Sequence, residues 1–271
     1  MRALVLADRP APGAPISDAP TSGATPTAAL LRPLGGVPLL ARQMRILARE
    51  GVRRIGIAAT GPEAGPLRDL AAAEAARLGL VLEDGRSSPD APTLVIDGPV
   101  LFDIDLARLA EVHASRTAAL TVVAQPTLQP RDSDLLAERD GRIVAVVPKH
   151  RPSPQDQRNL SPAGIWLAAP GVLPNPGPDF RPDVVRDLLP ALLAAGRPVA
   201  CRPTTEYLAR LDDEAAVAAA EADLAAGRPE ALRLGHRRPA LLLDVDGVLN
   251  HDPGPQGALA PDDIVMVAGA G

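Results

Sequence analysis

The sequence predicts an α/β protein built on a layered, mostly parallel sheet. Short apolar runs alternate with longer amphipathic or alanine-rich stretches, the order produced when strands are joined by crossover helices. The first run, Ala3-Leu-Val-Leu-Ala7, is continuously apolar rather than alternating, which marks a strand covered on both faces. Hydrophobic residues make up 46% of the chain, yet the aromatic ones are two Phe, one Trp and one Tyr. The core must therefore be built from Ala, Leu and Val.

Each element follows from local chemistry. After the first strand, residues 8 to 26 are loaded with Pro, Gly, Ala, Ser and Thr, which is loop composition. Leu34-Gly-Gly-Val-Pro38 leads into a helix whose apolar face carries Leu39, Leu40, Met44 and Leu47 and which ends near Gly51. Residues 54 to 58 read as a strand, 65 to 78 as an Ala-rich helix, 80 to 82 and 93 to 96 as strands. Asp97-Gly98-Pro99 turns the chain into the apolar and acidic run 100 to 105. A helix is predicted over 106 to 115 and a strand over 119 to 124. A strand pair over 135 to 138 and 142 to 147 turns at Asp140-Gly141. After a Pro-rich loop over 150 to 158 come a strand over 164 to 168, a helix around 183 to 195, a strand over 198 to 202 and an Ala/Glu helix over 212 to 226. Residues 228 to 238 have linker composition, dividing a domain over 1 to 227 from a segment over 239 to 271.

Composition excludes several classes. No run of 18 apolar residues and no basic-then-apolar leader is present, so a cytoplasmic protein that does not cross a membrane is expected. The net charge of −5 and the lack of a basic stripe argue against nucleic acid as a partner. The single cysteine, Cys201, rules out an internal disulfide and a cysteine-rich zinc site. Of 28 basic residues only one, Lys149, is lysine, which singles out that position.

Residues 241 to 250, Leu-Leu-Leu-Asp-Val-Asp-Gly-Val-Leu-Asn, form the most informative string. Three leucines predict a buried strand that runs into Asp244 and Asp246, with Gly247 allowing a tight turn. Carboxylates two residues apart on an extended segment face the same side, beyond the carboxyl end where α/β sheets hold ligands. One acid can attack phosphorus while the other handles the proton, with Mg²⁺ offsetting the negative charge. The string resembles the first motif of the haloacid dehalogenase (HAD) phosphatases, in the form found in histidinol-phosphate and heptose-bisphosphate phosphatases. The resemblance implies Asp244 as nucleophile, Asp246 as general acid/base and both as Mg²⁺ ligands. Only 21 residues follow Asn250, whereas such a domain needs roughly 150. The segment is therefore expected to be an incomplete, loosely packed piece of a HAD-like α/β domain.

Residues 1 to 227 resemble the sugar-1-phosphate nucleotidyltransferases, especially the mannose- and heptose-1-phosphate guanylyltransferase type. The resemblance rests on the order of Leu-Gly-Gly-Val-Pro-Leu-Leu (34 to 40), Val-Leu-Phe-Asp-Ile-Asp-Leu (100 to 106), Asp132-Ser-Asp-Leu135, Val-Pro-Lys149, Ala-Gly-Ile165, Arg-Asp-Leu-Leu-Pro190 and Thr-Thr-Glu-Tyr207. It implies a Rossmann-like sheet of GT-A type, a nucleoside triphosphate over the first strand and a sugar phosphate opposite.

Several family positions are altered. The phosphate-cradling loop falls on Asp8-Arg-Pro-Ala-Pro-Gly-Ala-Pro, and proline has no amide to offer phosphate. Arg9 is the one group there suited to an anion. The usual metal-binding Gly-Asp falls on Gly98-Pro99, so Gly98 is kept and its carboxylate neighbour lost, with Asp97 two residues earlier. A second metal acid falls on or near Arg210, a reversal of charge. Asp103 and Asp105 match other acids of the family string and equally suit a helix-capping turn. Lys149 matches the family's Pro-Lys pair. Replacing two carboxylates by a neutral and a positive group removes the main reason for Mg²⁺ to bind.

The expectation is a fusion from a sugar-nucleotide or heptose pathway, with a degenerate nucleotidyltransferase domain, Lys149, Arg9 and Gly98 as its ligand-binding residues, and a partial phosphatase. An active transferase with atypical ligands, and a non-catalytic sugar-phosphate-binding or dimerising module, are the alternatives.

Overall fold

The computed structural model describes residues 1–7, 26–85, 90–150, 158–173, 183–237, 239, 242–257 and 260–269. The chain divides into two units, Met1–Leu234 and Gly235–Gly271.

The first unit opens with β1 (Arg2–Leu6), all of whose residues are buried. Helix α1 (Pro26–Leu31), a small hairpin of β2 (Pro33–Leu34) and β3 (Val37–Pro38), and α2 (Leu39–Arg49) follow. Then come β4 (Arg54–Ala58), α3 (Ala64–Leu78), β5 (Val81–Asp84), β6 (Thr93–Asp97) and β7 (Val100–Asp103). Helix α4 (Leu106–Ser115), β8 (Leu120–Pro126), β9 (Leu135–Arg139), β10 (Arg142–Val147) and β11 (Leu160–Ala168) lead to a π-helical turn, Val184–Leu188, and α5 (Leu189–Ala194). The unit closes with β12 (Val199–Pro203), β13 (Tyr207–Arg210), α6 (Glu214–Ala225) and α7 (Arg228–Leu232).

Nine strands form one sheet in the order β5-β4-β1-β6-β11-β8-β12-β10-β9. β5, β4, β1 and β6 are parallel neighbours, as are β8 and β12. β11 and β10 run against their neighbours, so all strands but these two share one direction. The predicted layered, mostly parallel α/β architecture is what the chain adopts.

Alternate residues of β1 feed two cores. Ala3 and Val5 pack with α2, α3 and α4 residues such as Leu40, Leu67 and Leu109, while Leu4 and Leu6 pack with Val95, Trp166 and Leu189. Both faces are covered, which is why the strand reads as an unbroken apolar run. Each fully buried Leu contributes about 1.5–3 kcal/mol. On α3 the inward positions Ala71 and Ala75 are small, so α2 packs against it closely.

The elements differ from expectation in instructive places. β11 begins at Leu160 rather than 164, and its register with β8 shifts between Pro162 and Trp166. Pro162 lacks an N–H for the ladder and Gly164 has φ +79°, so the strand passes through the Pro-x-Gly segment as a bulge. The helix expected over 183 to 195 starts as a π turn: Asp183 accepts from the amides of Val185 and Arg186, and Leu188 N–H reaches Asp183 O at 3.2 Å. Pro190, which has no amide to give, opens the regular helix that follows. Part of the expected linker, Arg228 to Leu232, is helical, entered through Gly227 at φ 68° with Pro229 in the first turn. Arg233 pairs with Glu50 and Asp103, and Leu234 N–H donates to Glu206 Oε1 at 3.1 Å. Compact structure thus continues to Leu234.

The second unit is small. Val248, Leu249 and Asn250 all donate their amides to Val245 O, closing a turn. Asn250, buried at 2%, is its centre: its side chain accepts from Val265 N–H at 2.6 Å and donates to Asp246 at 3.3 Å. The expected strand over 241 to 243 is not formed at Leu242 and Leu243, which are 95% and 50% exposed. Leucines have no reason to extend when no neighbouring strand pairs with them.

Candidate functional site

The C-terminal end of β6 opens into a cleft of about 250 Å³. Asp97, the last residue of β6, forms part of its floor, and Gly164 and Trp166 of β11 continue it. Asp132, Ser133 and Asp134 of the β8–β9 connection form one side with Lys149, just after β10. Arg210, the last residue of β13, and Asp212 also line it, with Val185 of the π turn. The position agrees with the rule that open α/β sheets bind at the carboxyl ends of their strands.

Backbone hydrogen bonds fix Lys149 in place. Its N–H donates to Asp134 Oδ1 at 2.9 Å, and the next amide, of His150, donates to Arg131 O at 2.8 Å. The β8–β9 connection is itself tied by Thr127 and Ser133 hydroxyls at 3.3 Å. The Lys149 ammonium has no ion-pair partner among the described residues.

Arg210 is held by a two-point bond: Nε to Asp212 Oδ2 at 3.0 Å and Nη2 to Oδ1 at 3.1 Å. Such forks fix a guanidinium in orientation as well as place. Nη1 lies over Gly164, where an added Cβ would sit 2.7 Å from it and 3.0 Å from Val100 Cγ2. Glycine is thus required twice at 164, by its φ of +79° and by the arginine above it.

Trp166, the only tryptophan in the chain, is 1% exposed and lines the cleft, yet its Nε1–H has no acceptor among the described residues. An orphaned buried donor costs about 1–3 kcal/mol.

The remaining sequence candidates fall elsewhere. Arg9 lies outside the described residues. Gly98 has φ +75°, but its amide donates to Leu6 O at 2.9 Å and the residue is not part of the cleft wall. Asp105 caps α4, accepting from Arg108 N–H at 2.8 Å, and Asp103 is paired with Arg49 at 2.5 Å and with Arg233. The helix cap for Asp105 and the arginine pairs for Asp103 account for these two acids without a ligand. In the second unit Asp244 accepts from Val245 N–H at 2.9 Å and Asp246 from Asn250, so each carboxylate serves its own turn.

Sequence reasoning missed two features. Glu206, 1% exposed, accepts from Asp105 N–H (2.8 Å), Leu234 N–H (3.1 Å), Arg202 Nη2 (2.6 Å) and Thr204 Oγ1 (3.0 Å). This buried carboxylate ties the entry of α4, the β12–β13 connection and the end of the unit together. Trp166 was the other, and its uniqueness in the chain was the available signal. Cys201 is buried and its thiol is pushed up to about 12 by that burial, with Glu138 adding to the shift, so it is not a nucleophile.

Among the described residues no three His, Cys, Asp or Glu side chains are grouped to hold an ion. In the cleft Asp212 is already clamped by Arg210 and Asp134 by an amide, and a guanidinium stands among the acids.

Among the solved structures that match this chain, three cover 82% of it. A putative glucose-1-phosphate thymidylyltransferase from Bacillus anthracis, in complex with a sucrose, superposes with a TM-score of 0.61 at 14% identity over 94% of its own chain. HddC from Yersinia pseudotuberculosis superposes at 0.61 with 15% identity over 99% of its chain, and its complex with GMP-PN at 0.60 with 14%. The chain has a nucleotidyltransferase fold. No protein-family model and no curated protein matches the sequence. Within this nucleotidyltransferase fold, no described helix is long and apolar enough to cross a membrane.

Proposed function

We propose that the first unit is a sugar-1-phosphate nucleotidyltransferase-type domain that retains a sugar-phosphate site and has lost most of its transfer chemistry. The observation that carries the reading is the cleft's composition: its two cations, Lys149 and Arg210, sit with Asp134 and Asp212, each already engaged in a bond of its own. Nucleotidyl transfer requires several negative charges to be offset at close range around the α-phosphorus. A lining with an arginine fixed among the acids can hold a phosphate ester, but it lacks converging carboxylates for a metal. The structures of similar fold carry sucrose and GMP-PN, which supports sugar and nucleotide as the ligand classes to try.

In this reading the 244 to 250 segment is the first motif of a HAD-type phosphatase, with Asp244 as nucleophile and Asp246 as general acid/base. Both acids are exposed and bound only within their own turn. The purified chain is expected to hydrolyse a heptose bisphosphate poorly with Mg²⁺ present. An appreciable rate abolished by Asp244→Asn would show that the site works as it stands.

Pyrophosphate release decides the first unit. With Mg²⁺, the common nucleoside triphosphates and sugar 1-phosphates, release is expected to stay at background. Turnover that disappears in Lys149→Ala would instead establish an active transferase with unusual ligands.

A further inference from the structure

We infer that the tip of the β9–β10 hairpin is a docking surface for an acidic protein segment, with Arg116, Arg139 and Arg142 taking its carboxylates. The patch shares no residue with the cleft, so the inference stands apart from the sugar-phosphate reading.

The register brings the arginines together. Arg139 and Arg142 are directly opposite one another on antiparallel strands, on either side of Asp140 and Gly141. Residues paired in this way project from the same face with Cβ atoms about 4.5–5.5 Å apart, and like charges so placed repel. Both are exposed, and neither has a carboxylate partner among the described residues. Arg116, at the end of α4, joins them. Its Nη1 donates to Asp140 O at 2.6 Å, and its guanidinium lies where a Cβ on residue 141 would go. The turn is tight, with φ of +52° at Asp140 and +74° at Gly141, so the strand ends that carry Arg139 and Arg142 are held in place.

Nearby acids do not cancel this charge. Glu138 is engaged by Arg158 at 3.3 Å and by the amide of Gly141, which leaves the exposed Asp140 carboxylate against three guanidiniums. These groups lie at one end of the sheet. Arg116, Glu138 and Arg158 all act on the Cys201 thiol, and the Cys201 amide donates to Gly141 O at 2.9 Å. The opposed arginines weaken the free hairpin, and an anion laid across them removes the repulsion.

Several features favour a protein as the source of that anion. A guanidinium fork matches a carboxylate at two points. Val144, at the bulge of β10 and two residues from Arg142, is 51% exposed and offers an apolar contact beside the charges. Neither β9 nor β10 carries an aromatic side chain on which a base could stack. The chain's net charge of −5 opposes long polyanions and anionic bilayers, which meet the whole surface rather than one hairpin. A short acidic segment with interspersed apolar residues matches the patch in charge and character.

Fluorescence anisotropy of a labelled peptide of alternating Glu and Leu, titrated with the full chain, tests this. Binding is expected at about 20 mM salt and should fall severalfold at about 300 mM, as screening shortens the reach of the charges. Arg139→Gln and Arg142→Gln should each weaken it about tenfold, and Arg142→Lys, which keeps the charge and loses the fork, by less. The same Gln variants should unfold at higher urea than the wild type, because the opposed charges are relieved. No binding at low salt, or binding unchanged when both arginines are replaced, overturns the inference. A urea midpoint that falls in the Gln variants does so too, since the arginines would then serve the fold. Tighter binding of oligo-thymidylate or of phosphatidylserine vesicles than of the peptide also overturns it.

Discussion

Leu4 and Leu242 are the same residue in similar apolar company, yet one is 2% exposed and the other 95%. Leu4 lies on a strand with parallel partners on both sides, and its side chain enters a core with Val95 and Trp166. In the 235–271 unit, Val245, Val248 and the run Ile264 to Met266 are likewise about half exposed. Apolar sequence supplies the drive to bury, but the neighbours supply the place. The two units therefore differ in what holds them: two packed cores with buried polar ties in the first, and local turns around Asn250 in the second.

The sharpest way to break this comparison is to remove a buried carboxylate from the first unit and an exposed one from the second. Glu206→Ala removes a carboxylate that satisfies four donors and leaves Arg202, 4% exposed, as an uncompensated charge. A loss of about 3–5 kcal/mol is expected, read as a lowered urea midpoint by circular dichroism. Asp246→Ala in the second unit should change that midpoint by less than about 0.5 kcal/mol, since its carboxylate is exposed. Equal effects would mean that burial does not separate the two regions.

A pair of glycines separates local strain from crowding. Gly164 and Gly247 have φ of +79° and +80°, but only Gly164 has atoms where a Cβ would go. Gly247→Ala carries the left-handed penalty alone, about 1 kcal/mol. Gly164→Ala adds displacement of Arg210 and should cost about 2–3 kcal/mol. It should also weaken binding of glucose 1-phosphate, because the guanidinium must move. Matching losses of stability would remove the argument that Arg210 fixes the identity of residue 164.

These cases show what the chain made legible. The alternation of apolar runs and helices was enough for the α/β class, because burial on both faces leaves unbroken strands. Lys149 was found by its rarity and lies in the cleft. Glu206 was not found, because nothing in Thr-Thr-Glu-Tyr207 distinguishes a buried acid from a loop acid until Asp105, Arg202 and Leu234 are brought to it. The compact unit runs past residue 227 to Leu234 for a related reason. Gly227-Arg-Pro reads as a break, whereas the same residues start α7, and Arg233 then pairs with Glu50 and Asp103 across a long sequence separation.

That clamp gives a smaller effect. Arg233→Ala removes pairs to two acids whose side chains are only 5% and 7% exposed, while Arg49 still serves both. The expected loss is about 1–2 kcal/mol, between the value for a buried pair and that for a surface one. A double-mutant cycle with Asp103→Asn should give a coupling well below the effect of Glu206→Ala.

The smallest effect is set by pH. His113 on α4 is buried against β8, its Nδ1 2.8 Å from Thr121 Oγ1, and burial lowers its pKa below the ordinary histidine value. A native state that resists protonation binds fewer protons than the unfolded chain, so stability rises with pH across that window. The full contribution is present above about pH 6.5, the unperturbed value. It declines as pH falls below that value and levels off once the native imidazole also protonates. Urea midpoints should therefore drop between pH 7.5 and 5.5 in the wild-type chain. His113→Gln keeps a polar partner for Thr121 and has no proton to gain, so its midpoint should fall less over the same interval. A parallel fall in both proteins would place the pH sensitivity elsewhere, outside the first unit's buried helix–strand contact.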